Sequence, residues 1–234
     1  MKSWVPLSSF ALAVLLSQLS GAPGRLAMAR QATSGTCDWI TLPVCVRPIK
    51  AKPKGNNPPV AGGSTTNFTA EALKSLQDGI SLIWARCCIA FTVTLGKEVE
   101  LPADAFLDGK LAVANSDGQN VTPNEGLRKL FKTANSKKCL NLYFAADVVA
   151  GGLPAGADLK GAALVGDNGM IVDDGASPGV AAHEAGHNLG LTDNQTAGNL
   201  MSGADTAGNP PTGLDDTQCA LARTRAKSYL QKFQ

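Results

Sequence analysis

The only two histidines of this 234-residue chain, His183 and His187, lie four positions apart. On an α-helix this spacing places both imidazole rings on one face, one turn apart. Two neutral imidazole nitrogens at about 2.0–2.1 Å can supply two corners of a tetrahedral zinc site. Glu184 directly follows the first histidine and can act as a general base toward a water at such a metal. The fold must therefore present this helix with both rings directed at one point.

The residues after His187 complete a metal-binding pattern. Gly190 can adopt a left-handed conformation, end the helix and send the chain back toward the metal. Asp193 then arrives as the expected third ligand, since a carboxylate oxygen at about 2.0–2.2 Å suits zinc. Met201 follows within the run Gly-Asn-Leu-Met-Ser at 198–202. The two histidines and the glutamate alone could match by chance, but the glycine, the aspartate and the methionine together favour a zinc site.

The stretch 181–202 resembles the metzincin zinc endopeptidases, whose pattern is H-E-x-x-H-x-x-G-x-x, a further ligand and then a methionine turn. Most metzincins have a third histidine, and Asp193 in its place is similar to the snapalysin-type branch of small secreted bacterial proteases. The resemblance implies that Met201 packs beneath the metal ligands without binding metal. It is specific over this stretch, looser from about Thr69 onward and absent before that residue.

The resemblance implies an α+β fold with a twisted mixed β-sheet, a backing helix, a catalytic helix and a small irregular C-terminal subdomain that ends in a helix. It implies that a protein or peptide is hydrolysed through a zinc-bound water, with Glu184 as the general base. Two alternatives remain: a secreted binding protein with a structural or vestigial zinc site, and a zinc hydrolase with another substrate. A missing glutamate or a broken ligand set would favour the binding protein, and neither is seen.

The N-terminus has the features of a secretory signal peptide. Lys2 is followed by an apolar stretch whose core, 10–16, is too short to span a bilayer. The tripeptide Ala-Met-Ala at 27–29 forms a cleavage site, and an earlier cut near Ala22 is the alternative. The sequence therefore predicts a signal peptide at 1–29, a proline-rich lead-in or short propeptide at 30–66, and a catalytic domain at 67–234. We expect a secreted protein, extracellular or periplasmic according to the host.

Composition argues against two kinds of partner. The formal net charge is +2 and only 17% of the residues are charged. This balance implies no strong attraction to nucleic acid or to an anionic membrane. After the signal peptide, the sequence offers no apolar run near the roughly 20 residues of a membrane span. We expect a monomer that has no membrane contact once the signal is removed.

Six cysteines follow the predicted signal peptide, at positions 37, 45, 87, 88, 139 and 219. An even number after an export signal favours up to three disulfides, although the sequence leaves their pairing open. Cys37 with Cys45 would close the easiest local loop. The adjacent Cys87 and Cys88 point to opposite faces if they lie on a strand, so we expect them to bond different partners.

Hydrophobic periodicity and turn residues predict the elements around the site. The expected helices start at Thr69, Asn124, Ser177-Pro178, and Asp215 or Asp216. The expected strands are 89–95, 140–145, 162–165 and 170–172, with a hairpin turn at 167–169 and a short strand or loop insert at 99–113. By the resemblance, 162–165 or 170–172 borders the cleft and pairs with extended substrate. Arg223, Arg225 and Lys227 are expected on a solvated face of the last helix.

Overall fold

The computed structural model describes residues 37–52, 68–107, 109–116, 121–152, 159–202 and 213–234. The predicted signal peptide at 1–29 lies outside these residues. Across the described part of the chain, no helix combines the length and the apolar character that crossing a membrane requires.

Four α-helices lie in the described residues: α1 (Ala70–Trp84), α2 (Glu125–Ala134), α3 (Pro178–Asn188) and α4 (Asp216–Lys232). Side-chain oxygens of Thr69, Asn124 and Asp215 each accept a hydrogen bond from a backbone N–H in the first turn, so these three predicted starts are confirmed. Ser177 precedes α3 but makes no capping hydrogen bond. Pro178 is the first residue of α3, where its fixed φ suits the helix.

The main sheet contains, within the described ranges, the strands β1 (Ile40–Ala51), β2 (Ile89–Leu95), β3 (Val99–Leu101), β7 (Leu140–Ala145), β9 (Gly161–Ala163) and β10 (Gly169–Asp173). The strand order is β2-β1-β7-β10-β9, and β3 pairs with the end of β1. All of these pairings are parallel except that of the edge strand β9, which runs antiparallel to β10. The predicted α+β class, with a mixed sheet and a final helix, is confirmed.

A second sheet occupies the region where a short strand or loop insert was expected. It contains β4 (Phe106–Leu107), β5 (Lys110–Ser116), β6 (Val121–Pro123) and β8 (Val148–Gly151). Its order is β4-β5-β6, with β8 parallel to β5. Most of these strands are two to four residues long, and such segments are too short for sequence periodicity to identify.

The segment 40–51 differs most from expectation, because the sequence predicts a lead-in outside the catalytic domain there. It forms β1, which lies inside the sheet between β2 and β7. Its residues Leu42, Val44 and Val46 alternate onto one buried face, as a strand with period two requires. Proline is normally excluded from central strands, and Pro43 and Pro48 therefore hid this pattern in the sequence. The folded domain thus includes residues on both sides of the predicted boundary at 66/67.

The main sheet is covered on both faces. One face packs against α1, α3 and α4, whereas the other packs against α2 and the second sheet. All six residues of β7 are buried, with Leu142 in the first core and its neighbour Tyr143 in the second. A strand buried on both faces reads as a continuous apolar run, which explains why β7 was easily predicted. The arrangement holds α3 against the sheet, in the first core with α1 and α4.

The six cysteines form three disulfides, Cys37–Cys88, Cys45–Cys139 and Cys87–Cys219. The expected local pair Cys37–Cys45 is wrong. Eight residues of nearly extended chain span about 26 Å, far more than the roughly 6 Å between bonded Cα atoms. Cys87 and Cys88 bond different partners, as predicted. Cys45–Cys139 ties β1 to the residue that precedes β7. Cys87–Cys219 ties the segment before β2 to α4.

Replacing Cys45 and Cys139 together by serine is expected to lower the free energy of unfolding by about 2–5 kcal/mol, because the bridge closes a long loop of the unfolded chain. Urea unfolding of the mature protein under non-reducing conditions measures the change. Lys74→Ala is the control, since it removes an exposed i,i+4 ion pair with Asp78 that is worth at most about 0.5 kcal/mol. Equal stability of the serine double variant and the parent would contradict the prediction.

Candidate metal centre

The turn between β10 and α3 is ordered by the last residue of the strand. Asp173 accepts a hydrogen bond from the Gly175 N–H at 2.6 Å and lies 3.4 Å from the Lys160 ammonium. Its backbone carbonyl accepts from the Ala176 N–H. This Asx-type turn delivers the chain directly from the sheet into the first turn of α3.

Small residues allow α3 to pack closely against its neighbours. The indole N–H of Trp84 on α1 donates to the Ala182 carbonyl at 3.2 Å. A Cβ added at Gly186 would overlap the Met201 sulfur and lie 3.1 Å from its terminal methyl carbon. Met201 is fully buried in the short 3₁₀ segment Leu200–Ser202. The side chain that the resemblance places under the metal ligands thus packs against α3 between the two histidine positions.

Gly190 ends α3 with φ +87°. Its N–H bonds to the His187 carbonyl at 2.9 Å, and the Leu191 N–H bonds to the Gly186 carbonyl at 2.9 Å. These two bonds form a Schellman motif, in which glycine takes the left-handed position without steric cost. The reversal brings Asp193 back to the face of α3 that carries the histidines.

Two backbone carbonyls orient the imidazole rings. His183 Nδ1 lies 2.8 Å from the Leu200 carbonyl, and His187 Nδ1 lies 2.9 Å from the Leu191 carbonyl. A carbonyl can only accept, so each Nδ1 carries the proton and each Nε2 keeps a free lone pair when the ring is neutral. The ring centroids are 4.8 Å apart with an interplanar angle of 86°. Sequence reasoning missed these carbonyls because a backbone acceptor leaves no signal in residue type.

Asp193 Oδ1 lies 3.5 Å from the Nε2 atom of each histidine. Two ligand atoms at tetrahedral positions around zinc are about 3.4 Å apart, whereas a direct charge-assisted hydrogen bond would be about 2.7–2.9 Å long. The spacing therefore fits a metal between the three groups better than direct pairing. His183, His187 and Asp193 form a triad of possible metal ligands, with all donor atoms within 4.8 Å of one another. The Asp193 side chain is 67% exposed, so the triad opens to solvent.

Without a bound metal, the charges of the triad are strongly linked. Burial lowers the pKa of each histidine, but the Asp193 carboxylate and the Glu184 charge outweigh it, and both pKa values are raised above 6.5. The two nearby imidazoles, His183 first and then His187, hold the pKa of Asp193 well below its usual range. Protons and a metal cation therefore compete for the same three groups.

Glu184 lies beside the triad on the first turn after His183. Its side chain is buried, and its Oε2 atom has no hydrogen-bond partner among the described residues. Burial raises the pKa of this carboxyl despite the neighbouring histidines. A carboxylate with an uncommitted oxygen is available to accept a proton, which is what a general base requires.

The outer edge of β9 runs past this carboxylate. The Asp173 N–H donates to the Lys160 carbonyl, so in the antiparallel register Gly161 and Ala163 direct their backbone N–H and C=O groups away from β10. Among the described residues, no strand pairs with that outer edge. Of the two segments expected to border the cleft, only the one containing β9 lies at the edge, because β10 is paired on both sides.

The opposite edge of the sheet is closed. On β2, the Phe91 N–H donates to the Ser81 hydroxyl and the Val93 N–H donates to the Gln77 side-chain carbonyl, both at 3.0 Å. Side chains of α1 thus satisfy donors that would otherwise bind an added strand. The sheet is open to strand addition at β9, beside the triad, and blocked at β2.

The last helix secures the loop that follows β9, which corrects the expectation of a solvated basic face. Arg225 donates to the Gly166 carbonyl at 2.6 Å, and the Tyr229 hydroxyl lies 2.6–3.1 Å from the carbonyls of Gly166, Asp167 and Asn188. The Gly166 N–H in turn bonds to the His187 carbonyl at 2.8 Å.

On the same helix, Arg223 donates to the carbonyls of Cys87 and Asp38, both at 2.9 Å. Its guanidinium thus links α4 to the start of the described chain and to the segment before β2. The sequence pattern of alternating cations on a polar helix face gave no sign that two of them bind backbone carbonyls.

Comparison of the sequence with protein-family models and with curated proteins finds no match. Among solved structures, the chain is similar to archaemetzincin from Methanopyrus kandleri, with 15% identity and a TM-score of 0.48 over 80% of this chain and 96% of that chain. It is similar to metalloproteinase-II from Bacteroides fragilis, with 14% identity and a TM-score of 0.45 over 82% and 55% of the two chains. A chain from a chaperone–substrate complex matches with 16% identity and a TM-score of 0.47, over 84% and 35%.

Gly186→Ala is expected to destabilise the protein by about 1–3 kcal/mol, because the added methyl overlaps Met201 in a filled core. The sign of the change in unfolding free energy tests the packing, because glycine to alanine inside an ordinary helix stabilises a protein by about 1 kcal/mol. Urea unfolding measures the change, and the same substitution in a Met201→Ala background, where room exists, should lose its cost. A stabilising effect of Gly186→Ala in the parent would contradict the packing.

Zinc affinity is expected to fall as the pH is lowered through the raised histidine pKa values, by about 10- to 100-fold per pH unit, since one or two protons are displaced per metal. The fall should begin above pH 6.5, the ordinary histidine value. Asp193 stays ionised throughout because its pKa is lowered. Calorimetric titration of the metal-free protein at several pH values measures both affinity and proton release.

Asp193→Ala is the matched variant for this titration. It removes a candidate ligand, so zinc should bind more weakly at every pH. It also removes the carboxylate that raises the histidine pKa values, so the acid-side fall should move to lower pH. Full zinc occupancy of this variant after mild chelation would mean that another group supplies the third ligand.

Proposed function

We propose that this chain is a secreted zinc-dependent endopeptidase of the metzincin type. The observation that carries the proposal is the placement of Asp193 Oδ1 at 3.5 Å from both Nε2 atoms, with Glu184, whose Oε2 has no partner among the described residues, beside them. His183, His187 and Asp193 would hold the metal and leave a fourth position open. A structural zinc site is usually closed by four protein ligands, whereas a catalytic one keeps a position for water or substrate.

When bound, zinc would supply Lewis acidity that lowers the pKa of a water to about 7 and polarises the scissile carbonyl. The protein residues supply the remaining functions. The carbonyls of Leu200 and Leu191 hold the two rings in the tautomer that offers Nε2 to the metal. Asp193 contributes one negative charge, which reduces the net positive charge of the site relative to a site with three histidines.

Glu184 is the proposed general base. Its position on α3, directly after the first ligand, places the carboxylate beside the triad, and burial favours a pKa closer to the working pH. It would accept the proton of the attacking water and pass it to the leaving amine. Because Oε2 is not committed to a protein donor, no internal hydrogen bond has to break before the proton is taken.

Peptide is the substrate class that the sheet edge favours. Gly161 and Ala163 on β9 direct backbone donors and acceptors outward, beside Glu184. An extended peptide can pair with such an edge through its own backbone, which gives affinity that depends little on side chains. Because the β2 edge is capped by Ser81 and Gln77, strand addition is directed to the side of the sheet that carries the triad.

Secretion is the proposed context for this activity. The chain forms three disulfides and leaves none of its six cysteines free. Disulfides of this kind persist in oxidising compartments outside the cytosol. The predicted signal peptide at 1–29 agrees with this context.

The test compares the purified mature protein with Glu184→Gln. We expect one zinc per chain in both proteins, measured by elemental analysis, because Glu184 is not a ligand in this proposal. Casein hydrolysis should fall by about 10²–10⁴-fold in the variant, which has lost its general base. Lys74→Ala, on the exposed face of α1, is the control and should cleave casein at the parent's rate.

Two results would contradict the proposed function. Near-parental turnover in Glu184→Gln would exclude this residue as the base. Zinc bound by the parent without hydrolysis, even after removal of the residues that precede the folded domain, would indicate a binding protein with a zinc site.

A further inference from the structure

The edge strand lies against the proposed base at Gly161. Gly161 opens β9, and a Cβ built on it would lie 2.6 Å from Glu184 Oε1 and 2.9 Å from Glu184 Cγ. Real Cβ atoms do not approach other heavy atoms so closely, and Glu184 is buried, so its carboxylate has little freedom to move aside. The carboxylate therefore occupies the volume that a side chain at position 161 would fill.

The backbone does not explain this glycine. Gly161 is absent from the described glycines with positive φ, which are Gly109, Gly152, Gly166, Gly190 and Gly198. It lies in a strand paired with Val172, a conformation that every L-residue adopts. Glycine in a strand costs roughly 0.5–1 kcal/mol relative to alanine. Neither strand propensity nor backbone conformation calls for glycine at position 161. The space that Glu184 occupies accounts for it.

We propose that Gly161 is a positioning residue: its missing side chain forms the seat of the Glu184 carboxylate and fixes the proposed base against the strand that pairs with the substrate. The inference rests on the proposed function and deepens it. Its neighbour Ala162 packs against the second core on the opposite face of the sheet, whereas a Cβ at Gly161 would point at Glu184.

Gly161 then has two roles that depend on each other. Its backbone N–H and C=O point to the open edge, where an extended peptide would pair, and its Cα faces the base. The bound peptide and the Glu184 carboxylate would thus both contact Gly161, which sets their relative position. Any side chain at this position must displace either Glu184 or β9, and both displacements separate the base from the bond to be cleaved.

The first arm of the test measures stability and needs no enzymatic activity. In the parent, Gly161→Ala is expected to lower Tm by roughly 3–10 °C, because the added methyl overlaps a buried carboxylate. In a Glu184→Ala background the same change should leave Tm unchanged or raise it by a few degrees, since alanine is then the better strand residue. Equal losses of Tm in the two backgrounds would overturn the proposal.

Gly151→Ala is the matched control. Gly151 is also a strand glycine outside the positive-φ set, and a Cβ there would lie an ordinary 3.7 Å from the nearest atom, Asn115 Oδ1. Its effect on Tm should be small and the same with and without Glu184. This comparison separates the specific contact from a general intolerance of strand glycines.

The second arm measures catalysis with a casein-derived peptide. Gly161→Ala should keep one zinc per chain and lower kcat by about 10²-fold, because a misplacement of about 1 Å at a reacting group has that cost. Gly151→Ala should keep the parent's kcat. A Gly161→Ala enzyme with unchanged kcat would overturn the proposal, as would a loss that follows a loss of zinc.

Failure of the proposed function would be distinguishable from failure of this inference. In the first case the parent binds zinc and cleaves no peptide, while the Tm cycle still decides whether Gly161 seats Glu184. In the second case the parent is an active peptidase that Glu184→Gln inactivates, and Gly161→Ala has no coupling to Glu184.

Discussion

The hydrogen bonds from the two imidazoles to backbone carbonyls are the interactions on which the rest of the site depends. His183 Nδ1 bonds to Leu200 and His187 Nδ1 bonds to Leu191, and only then do both Nε2 atoms face Asp193. The spacing of four residues brings the rings onto one face of α3 but leaves their rotation free. The chain must therefore return twice to α3, once immediately after Gly190 and once at the 3₁₀ segment Leu200–Ser202, before the histidines can act as ligands.

These two returns explain residues that take no part in chemistry. Gly190 makes the first return possible with its positive φ, and the Asn199 side chain supports the second by accepting from the Met201 N–H at 2.9 Å. Met201 then fills the space under Gly186, where helix α3 has no side chain. The contact between the Met201 sulfur and Gly186 sets how closely the segment Leu200–Ser202 approaches α3. It thereby sets the position of the Leu200 carbonyl that orients His183. The methionine would therefore act on the candidate metal ligands through packing alone.

Local signals were sufficient for most of this picture. The candidate ligands, the end of α3 and the helix starts at Thr69, Asn124 and Asp215 follow from spacing and capping, which depend on a few neighbouring residues. The parts that were missed depend on distant partners. Pro43 and Pro48 concealed β1, whose strand character is set by β2 and β7 on either side. The bond between Cys45 and Cys139 likewise depends on the pairing of β1 with β7. The carbonyls that orient the imidazoles and the contact of Gly161 with Glu184 leave no pattern in residue types.

The two end strands of the main sheet differ in whether they can pair with an added strand, and this difference decides where a peptide could bind. A sheet with two open edges would add strands at either end and would risk aggregation at β2, far from the triad. Ser81 and Gln77 remove that possibility by binding the β2 donors, and no comparable cap lies on β9 among the described residues. Of the two end strands of the main sheet in the described residues, β9 is the open one; it runs antiparallel to its neighbour and begins at the glycine that faces Glu184. In the proposed peptidase, backbone pairing is indifferent to side chains, so the position of the scissile bond relative to the proposed base would have to come from the strand itself, and β9 would supply it because Gly161 lies against Glu184.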